Sequence, residues 1–476
     1  MDLFSVAMTR RKIYFSLLFL FITSVIICGL ALPTRTLWAE NERIENSDTS
    51  ASLDKNISSG KIRLYQKLGI RLLRGKHLWL FTDLPAEREV DQLSRVFDLA
   101  VPQWAAAFGI PENRWQTWKM TGCLMKDPEK FRRAGLFPVE KLQKFHSGFS
   151  QNGKLWMFDQ PSSYYRRHLL LHEGVHGFMT AFFPTVSPPW HAEGMAELLA
   201  THWWDEASES GPEVAYFPRA KTAVPMLGRI RIVRDEVAKG RTLNLKQILS
   251  YGADAHSNNV PYGWCWALAA FLDGHPQYQE RFRELNRTAT GSNINEAFLK
   301  TYADDWQALE AEWSLFVREI DHAYDFERAA VQYQEGEPLS PFSLGRSTSV
   351  SVSSGWQSSG TLLQAGETYR IRAKGRFTMQ GKTANERWPS DPGGITLHYL
   401  SGHPLGVLQA VLIPSQKTGV DFFDTSRIQL IGRGKQWTPN QSGTLYLRIN
   451  NKASQLPNNE GTIDVSIQVN DLELEP

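Results

Sequence analysis

The stretch HEGVHGFMTAFFPTVSPPWHAEGMAE, residues 172–197, combines two short helical patterns that are separated by three prolines. Residues four apart on an α-helix share one face, so His172 and His176 can bind one cation. Zinc binds imidazole nitrogen and carboxylate oxygen, and a catalytic zinc site uses three protein ligands. Glu193, on the second pattern, can supply the third. The pattern therefore predicts a zinc site at His172, His176 and Glu193, with the carboxylate of Glu173 beside it.

The sequence around this motif favours a pair of helices that bring the three ligands together. Ser162 and Ser163 can cap an amphipathic helix over 164–183, and the prolines then form a turn into a second helix over about 190–204. Glu197 follows Glu193 by one helical turn. A zinc-bound imidazole usually donates its other N–H to an acceptor, and we expect Glu197 to be that acceptor.

The whole chain has 476 residues, which is too long for one hydrophobic core and indicates at least two domains. Its net charge of +2 gives no general electrostatic reason to expect nucleic acid as a partner. Two cysteines, Cys123 and Cys265, lie beyond the N-terminal segment. They can either pair or remain two buried thiols, and two residues are too few for a disulfide scaffold.

The N-terminal segment, residues 1–39, has the pattern of an export signal. Arg10, Arg11 and Lys12 precede an apolar run over 13–32. The run fits either a cleaved signal peptide or an uncleaved membrane anchor. Both place the rest of the chain outside the cytoplasm, in the periplasm, at the cell surface or secreted. Residues 40–60 are polar and lack aromatics, which predicts a disordered spacer.

Two regions of different composition follow the spacer. The pattern of residues 61–325 predicts an α+β domain in which strands precede helices. Residues 326–345 are predicted to form a linker, and residues 346–476 an antiparallel β-sandwich. The predicted strands of the first region are 77–83, 115–125 and 154–158. Its further predicted helices are one from Pro85 towards Phe108, then 242–250, 262–273, 276–286 and 293–323.

The HExxH motif with a later Glu in an EGxAE context resembles the gluzincin metallopeptidases, specifically the peptidase MA-like domains of bacterial exported proteins. The resemblance implies a zincin-like fold and zinc bound by His172, His176 and Glu193. Glu173 would act as general base for a zinc-bound water. Tyr262 is our candidate for an oxyanion donor, ahead of His191 and His256. The strand 154–158 resembles the edge strand that binds extended substrates in this group.

The C-terminal region is similar to the calcium-dependent galactophilic lectins of bacteria, most closely in its last loop. The lectins' two consecutive calcium-binding Asn match Asn458 and Asn459, while Asn451 and Gln455 replace an Asp and a Thr. A backbone carbonyl would come from Met379, and Trp388 stands where the lectins have a sugar-binding His. Because calcium favours carboxylates, this neutral set is a poor calcium site. The alternative to sugar binding is that this region is an accessory domain that orients or stabilises the enzyme.

The sequence thus predicts an exported zinc metallopeptidase that hydrolyses peptide bonds of envelope or extracellular proteins, with glycoproteins as one class of substrate. The alternative is a carbohydrate-binding or adhesion protein whose zincin domain is inactive. The sequence retains all of the predicted zinc ligands and the predicted general base, which favours the enzyme. These residues are His172, Glu173, His176 and Glu193.

Overall fold

The computed structural model describes residues 59–469, except 138–146, 206–209, 253–254, 256–257, 290, 341–344, 382, 384 and 415–427. The described residues all fall within one compact unit of the chain. The predicted export segment and residues 40–58 of the predicted spacer lie outside the described residues. Within the described part, no helix combines the length and the apolar character that crossing a membrane requires.

The fold is mixed α/β, with several small sheets and a C-terminal β-rich region. The helices of the N-terminal part are α1 (Ser59–Lys67), α2 (Arg88–Asp91), α3 (Leu93–Ala107), α4 (Glu112–Trp115), α5 (Pro128–Arg133), α6 (Ser163–Phe182), α7 (Pro189–Ala200), α8 (Arg229–Ala238), α9 (Leu245–Leu249), α10 (Asn259–Gly274), α11 (Gln279–Thr288), α12 (Ile294–Thr301), α13 (Trp306–Glu319) and α14 (Phe326–Ala329). Its strands are β1 (Arg71–Arg74), β2 (Leu78–Thr82), β3 (Met120–Met125), β4 (Gly148–Gln151), β5 (Lys154–Phe158), β6 (His202–Trp203) and β7 (Glu213–Val214).

A five-stranded sheet with the order β1-β2-β3-β5-β4 forms one layer of this part. The three inner strands are parallel, and both outer strands are antiparallel to their neighbours. The prediction that 154–158 is the edge strand is therefore wrong. Asn152 and Gly153 both have positive φ, as a tight type I′ hairpin requires, and the hairpin places β4 outside β5. The edge strand on this side of the sheet is Gly148–Gln151, and β1 forms the other edge.

Several predicted ends of helices and strands also differ from those in the structure. The predicted strand 115–125 begins only at Met120, because α4 occupies its start. The predicted helix towards Phe108 is two helices, α2 and α3, and the predicted helix 293–323 is also two, α12 and α13. The helix predicted over 190–204 ends at Ala200 and is followed by β6. These breaks depend on tertiary contacts that local periodicity does not report.

Helices α6, α7 and α10 pack together over the sheet and form the core that holds the motif. Ser162 caps α6 by accepting a hydrogen bond from the Tyr165 backbone N–H, as predicted. Gly194 lets α7 approach α10 closely, because a Cβ there would lie 2.9 Å from the Cys265 carbonyl oxygen. Cys123 and Cys265 are both buried free thiols.

The β-rich region contains two packed sheets. One has the order β17-β16-β19-β10-β8, the other β18-β11-β20-β9, and their apolar faces share one core. Its strands are β8 (Glu337–Pro338), β9 (Arg346–Ser351), β10 (Gln357–Leu363), β11 (Tyr369–Lys374), β12 (Phe377–Gln380), β13 (Arg387–Ser390), β14 (Ile395–Leu400), β15 (His403–Leu405), β16 (Leu408–Ile413), β17 (Gln429–Leu430), β18 (Gly434–Trp437), β19 (Gly443–Ile449) and β20 (Thr462–Val469). The pairing is antiparallel as predicted, except that β8 runs parallel to β10.

Helix α13 joins the two regions through a shared apolar cluster that includes Leu315, Trp356 and Tyr446. At its edge, Arg448 contacts Glu319 at 2.7 Å. The segment 326–345, predicted as a linker, contains α14 and β8, so both of its described elements are ordered parts of the fold.

Candidate metal centre

Three potential ligand atoms converge where α6 faces α7. His172 Nε2 and His176 Nε2 lie 3.1 Å apart, and Glu193 Oε2 lies 3.4 Å and 3.3 Å from them. Tetrahedral zinc with bonds of about 2.0–2.1 Å separates its ligand atoms by about 3.3 Å. The three residues thus have the donor types and the spacing that zinc requires. The structure brings all three predicted ligands together.

The charges at this centre reinforce one another. Burial would raise the pKa of Glu193, but His176 and His172 outweigh it and hold that pKa far below its usual value. Burial would lower the pKa of His176, yet Glu193 and the neighbouring carboxylates raise it to about 9. Glu193 is therefore an ionised carboxylate in a buried place that favours a cation.

Glu173 lies on the same helix, is 5% exposed, and faces strand β4. Burial raises its pKa, opposed by His172 and His176 and by a hydrogen bond with Ser150 of β4. Gly148, at the start of the same strand, makes room for the carboxylate, since a Cβ there would lie 2.6 Å from Glu173 Oε1. The edge strand thus positions the predicted general base.

Glu197 lies behind His172, with its Oε1 at 3.4 Å from His172 Nδ1, but no hydrogen bond joins these two atoms, so its predicted role as acceptor stays a prediction. Its carboxylate also accepts hydrogen bonds from Arg229 at 2.6 and 2.8 Å and contacts His168 Nε2 at 3.1 Å. Burial would raise the pKa of Glu197, but Arg229 and His168 keep it well below its usual value. His168, His172 and Glu197 also lie within metal-binding distance of one another. The guanidinium of Arg229 already supplies the positive charge there.

Sequence reasoning missed Arg229, Ser150 and Gly148. Arg229 belongs to α8, 32 residues after Glu197, and is 8% exposed. Nothing in the local sequence distinguishes it from the other arginines of that helix. Ser150 and Gly148 belong to a four-residue strand too short to give a periodic signal.

Tyr262, in the first turn of α10, lies beside the centre. The centroid of the Tyr262 ring lies 6.1 Å from that of the His172 ring, and the Arg229 guanidinium lies 5.6 Å from the Tyr262 centroid. Its predicted role as oxyanion donor stays a prediction. His191 points elsewhere, with its Nε2 at 2.9 Å from Asn286 Oδ1, and burial lowers its pKa to about 4. His256 lies outside the described residues.

Two of the predicted calcium positions of the β-rich region, Asn451 and Asn459, are held by hydrogen bonds within the protein. The Asn451 side-chain N–H donates to Asn459 Oδ1, and Asn459 donates to the Val352 carbonyl. The Trp388 ring stacks on His398, with centroids 4.3 Å apart. Two further predicted positions, Gln455 and Asn458, lie in the 3-10 turn Ala453–Asn458, and Met379 pairs with Trp388 across β12 and β13. Calcium and sugar binding here stay predictions.

Comparison with known proteins gives weak structural likenesses. No family model matches the chain, and neither does any curated protein. One similar structure is the EclA N-terminal domain, a PllA-like lectin, at 22% identity over 26% of this chain and 96% of the other, with a TM-score of 0.20. Another is an aminopeptidase N family protein from Idiomarina loihiensis, at 10% identity over 84% of this chain and 68% of the other, with a TM-score of 0.30.

Proposed function

We propose that this chain is a zinc metallopeptidase of the gluzincin type that hydrolyses peptide bonds of envelope or extracellular proteins. The observation that carries the proposal is the convergence of His172, His176 and Glu193 at 3.1–3.4 Å. The buried carboxylate of Glu173 lies on the same helix, one residue after the first ligand. A site that only stabilised the fold would not need this fourth ionisable group.

The roles of the residues follow from their positions. A bound zinc ion would supply Lewis acidity towards water and towards the scissile carbonyl. Glu173 would accept the proton of the attacking water and pass it to the leaving amine. The burial that raises the pKa of Glu173 makes it a stronger base than a surface carboxylate, and hydrogen bonding by Ser150 offsets part of that rise. The Tyr262 hydroxyl would donate to the oxyanion.

The edge strand β4 is the natural place for substrate. It pairs only with β5 in the described sheet, so its outer edge presents backbone N–H and C=O groups. An extended peptide can add to such an edge by main-chain hydrogen bonds. Because Gly148 and Ser150 of this strand flank Glu173, a peptide added here would run past the general base.

The remaining parts of the chain complete the proposal. The N-terminal segment would export the protein or anchor it to the membrane, which would place the enzyme among envelope or extracellular proteins. The β-rich region would be a lectin-like accessory module, and its packing against α13 would hold it in a fixed position beside the peptidase part.

Two substitutions test the proposal. Glu173→Gln preserves shape and should keep one zinc per chain while abolishing cleavage of a peptide library. Glu193→Gln removes the charged ligand and should lose zinc as well as activity. Glu236→Gln, at a salt bridge with Arg241, is a control of the same chemical type and should change neither. A wild-type protein that binds no zinc, or a Glu173→Gln variant that still cleaves, would overturn the proposal.

A further inference from the structure

The outer face of strand β11 carries a row of three cations. Ile371 and Ala373 point into the core of the β-rich region, so the alternate residues Arg370, Arg372 and Lys374 lie on the opposite side. Neighbouring members of such a row are about 7 Å apart. None of the three side chains makes a hydrogen bond or an ion pair with another described residue. Three unpaired cations on one strand form a strongly positive surface.

The row of cations lines an open, shallow groove. The residues paired with Arg372 on either side are Gly434 and Ser466, both small. Larger polar residues pair with Arg370, namely Gln436 and Gln468. The depression along the row measures about 790 Å³. Because Gly434 has no side chain, there is open space directly beside Arg372, the central cation of the row.

The neighbouring charges leave the groove positive. Asp464 pairs with Lys374 in register and is the one carboxylate among the described lining residues. Arg433 also lines the groove, but Asp391 binds its guanidinium at 2.8 and 3.0 Å. Lys435 contacts Gln429 Oε1 at 2.7 Å. The net charge of the lining thus remains positive after these pairs are counted.

We propose that this groove binds an extended polysaccharide whose sugars carry carboxylates. The forked guanidinium of arginine matches a carboxylate, and the hydroxyls of Ser347 and Ser466 can bond sugar hydroxyls. None of the described lining residues is aromatic, so the groove lacks the rings on which nucleobases stack. The groove shares no residue with the predicted calcium and sugar positions, and the inference goes beyond the proposed peptidase activity.

The test uses the full-length protein and measures affinity by calorimetry at low salt. The probes are a polygalacturonate oligomer, the same oligomer with its carboxylates methyl-esterified, and an oligothymidylate of equal charge. The wild type should bind polygalacturonate in preference to both others. The triple variant Arg370→Gln, Arg372→Gln, Lys374→Gln should bind it about tenfold more weakly, and the difference should shrink as salt screens the charges.

A matched control keeps the result specific. Arg63→Gln, Lys67→Gln, Arg95→Gln removes three exposed cations from α1 and α3, with the same change in net charge, and should bind like the wild type. If the first triple variant does not fold, Arg372→Gln alone should weaken binding about threefold. Equal binding by both triple variants, equal binding of the esterified oligomer, or tighter binding of oligothymidylate overturns the proposal. Peptide cleavage by the triple variant should equal that of the wild type, so this test is independent of the proposed activity.

Discussion

Replacing Arg229 by methionine would test how the buried carboxylate of Glu197, behind the candidate metal centre, is held. Met fills a similar volume but leaves Glu197, which is 1% exposed, with His168 as its nearest remaining donor at 3.1 Å. Arg229 now makes two bonds of 2.6 and 2.8 Å to it. Breaking a buried ion pair by removing one partner costs about 3–5 kcal/mol, because the other charge stays buried. We expect a loss of that size in the free energy of unfolding of the zinc-free protein.

The same substitution should weaken zinc binding. Glu197 lies 3.4 Å from His172 Nδ1 and would orient that imidazole. Losing an outer hydrogen-bond partner of a metal ligand typically lowers metal affinity about 10- to 100-fold. Urea unfolding of the chelator-treated protein measures stability, and competition with a chromophoric chelator measures zinc affinity.

Two further variants separate charge from shape. Arg229→Lys keeps the charge without the fork and should lose less stability than Arg229→Met. The double variant Arg229→Met, Glu197→Gln removes the stranded charge, so it should regain part of the lost stability while zinc affinity stays low. If Arg229→Met unfolds within about 1 kcal/mol of the wild type and binds zinc equally well, our account of the Glu197 contacts is wrong.

Three other substitutions probe burial and packing. Burial lowers the pKa of His202 to about 3, so below pH 6.5 the unfolded chain binds more protons than the folded one. The free energy of unfolding should therefore decrease as the pH is lowered, and between pH about 6.5 and 4 the His202→Gln variant should lose about 3 kcal/mol less than the wild type in urea titrations. Gly174→Ala would bring a Cβ within 2.6 Å of Phe97 and Trp104; we expect a loss of about 1–3 kcal/mol, and an unchanged melting temperature would contradict this. Trp356→Ala should cost about 3–5 kcal/mol and lower the stability of both regions together, which parallel unfolding curves from fluorescence and peptide cleavage would check.

The sequence predicted that the three candidate metal ligands lie together, because their geometry is local. His172 and His176 are one turn apart on a helix with a clear cap, and the prolines before Glu193 define the turn into the next helix. Glu197 followed from the same spacing. The partners that complete the site come from separate elements, and strand order and side-chain contacts over such distances have no local signature. The misassigned edge strand shows this, because 154–158 has a strong strand pattern but its position in the sheet depends on its pairing with β4.

The two-residue strand β8 limits where a fragment that contains the β-rich region can begin. Gly336 brings its backbone against β10, since a Cβ there would lie 2.6 Å from the Thr361 backbone. Glu337 and Pro338 then cover the outer edge of β10. A fragment beginning at residue 346 would expose that edge, and open strand edges pair with other molecules. We expect such a fragment to aggregate, whereas one that begins before Trp306 would keep β8 on the edge and α13 on the apolar cluster around Trp356, and should stay monomeric.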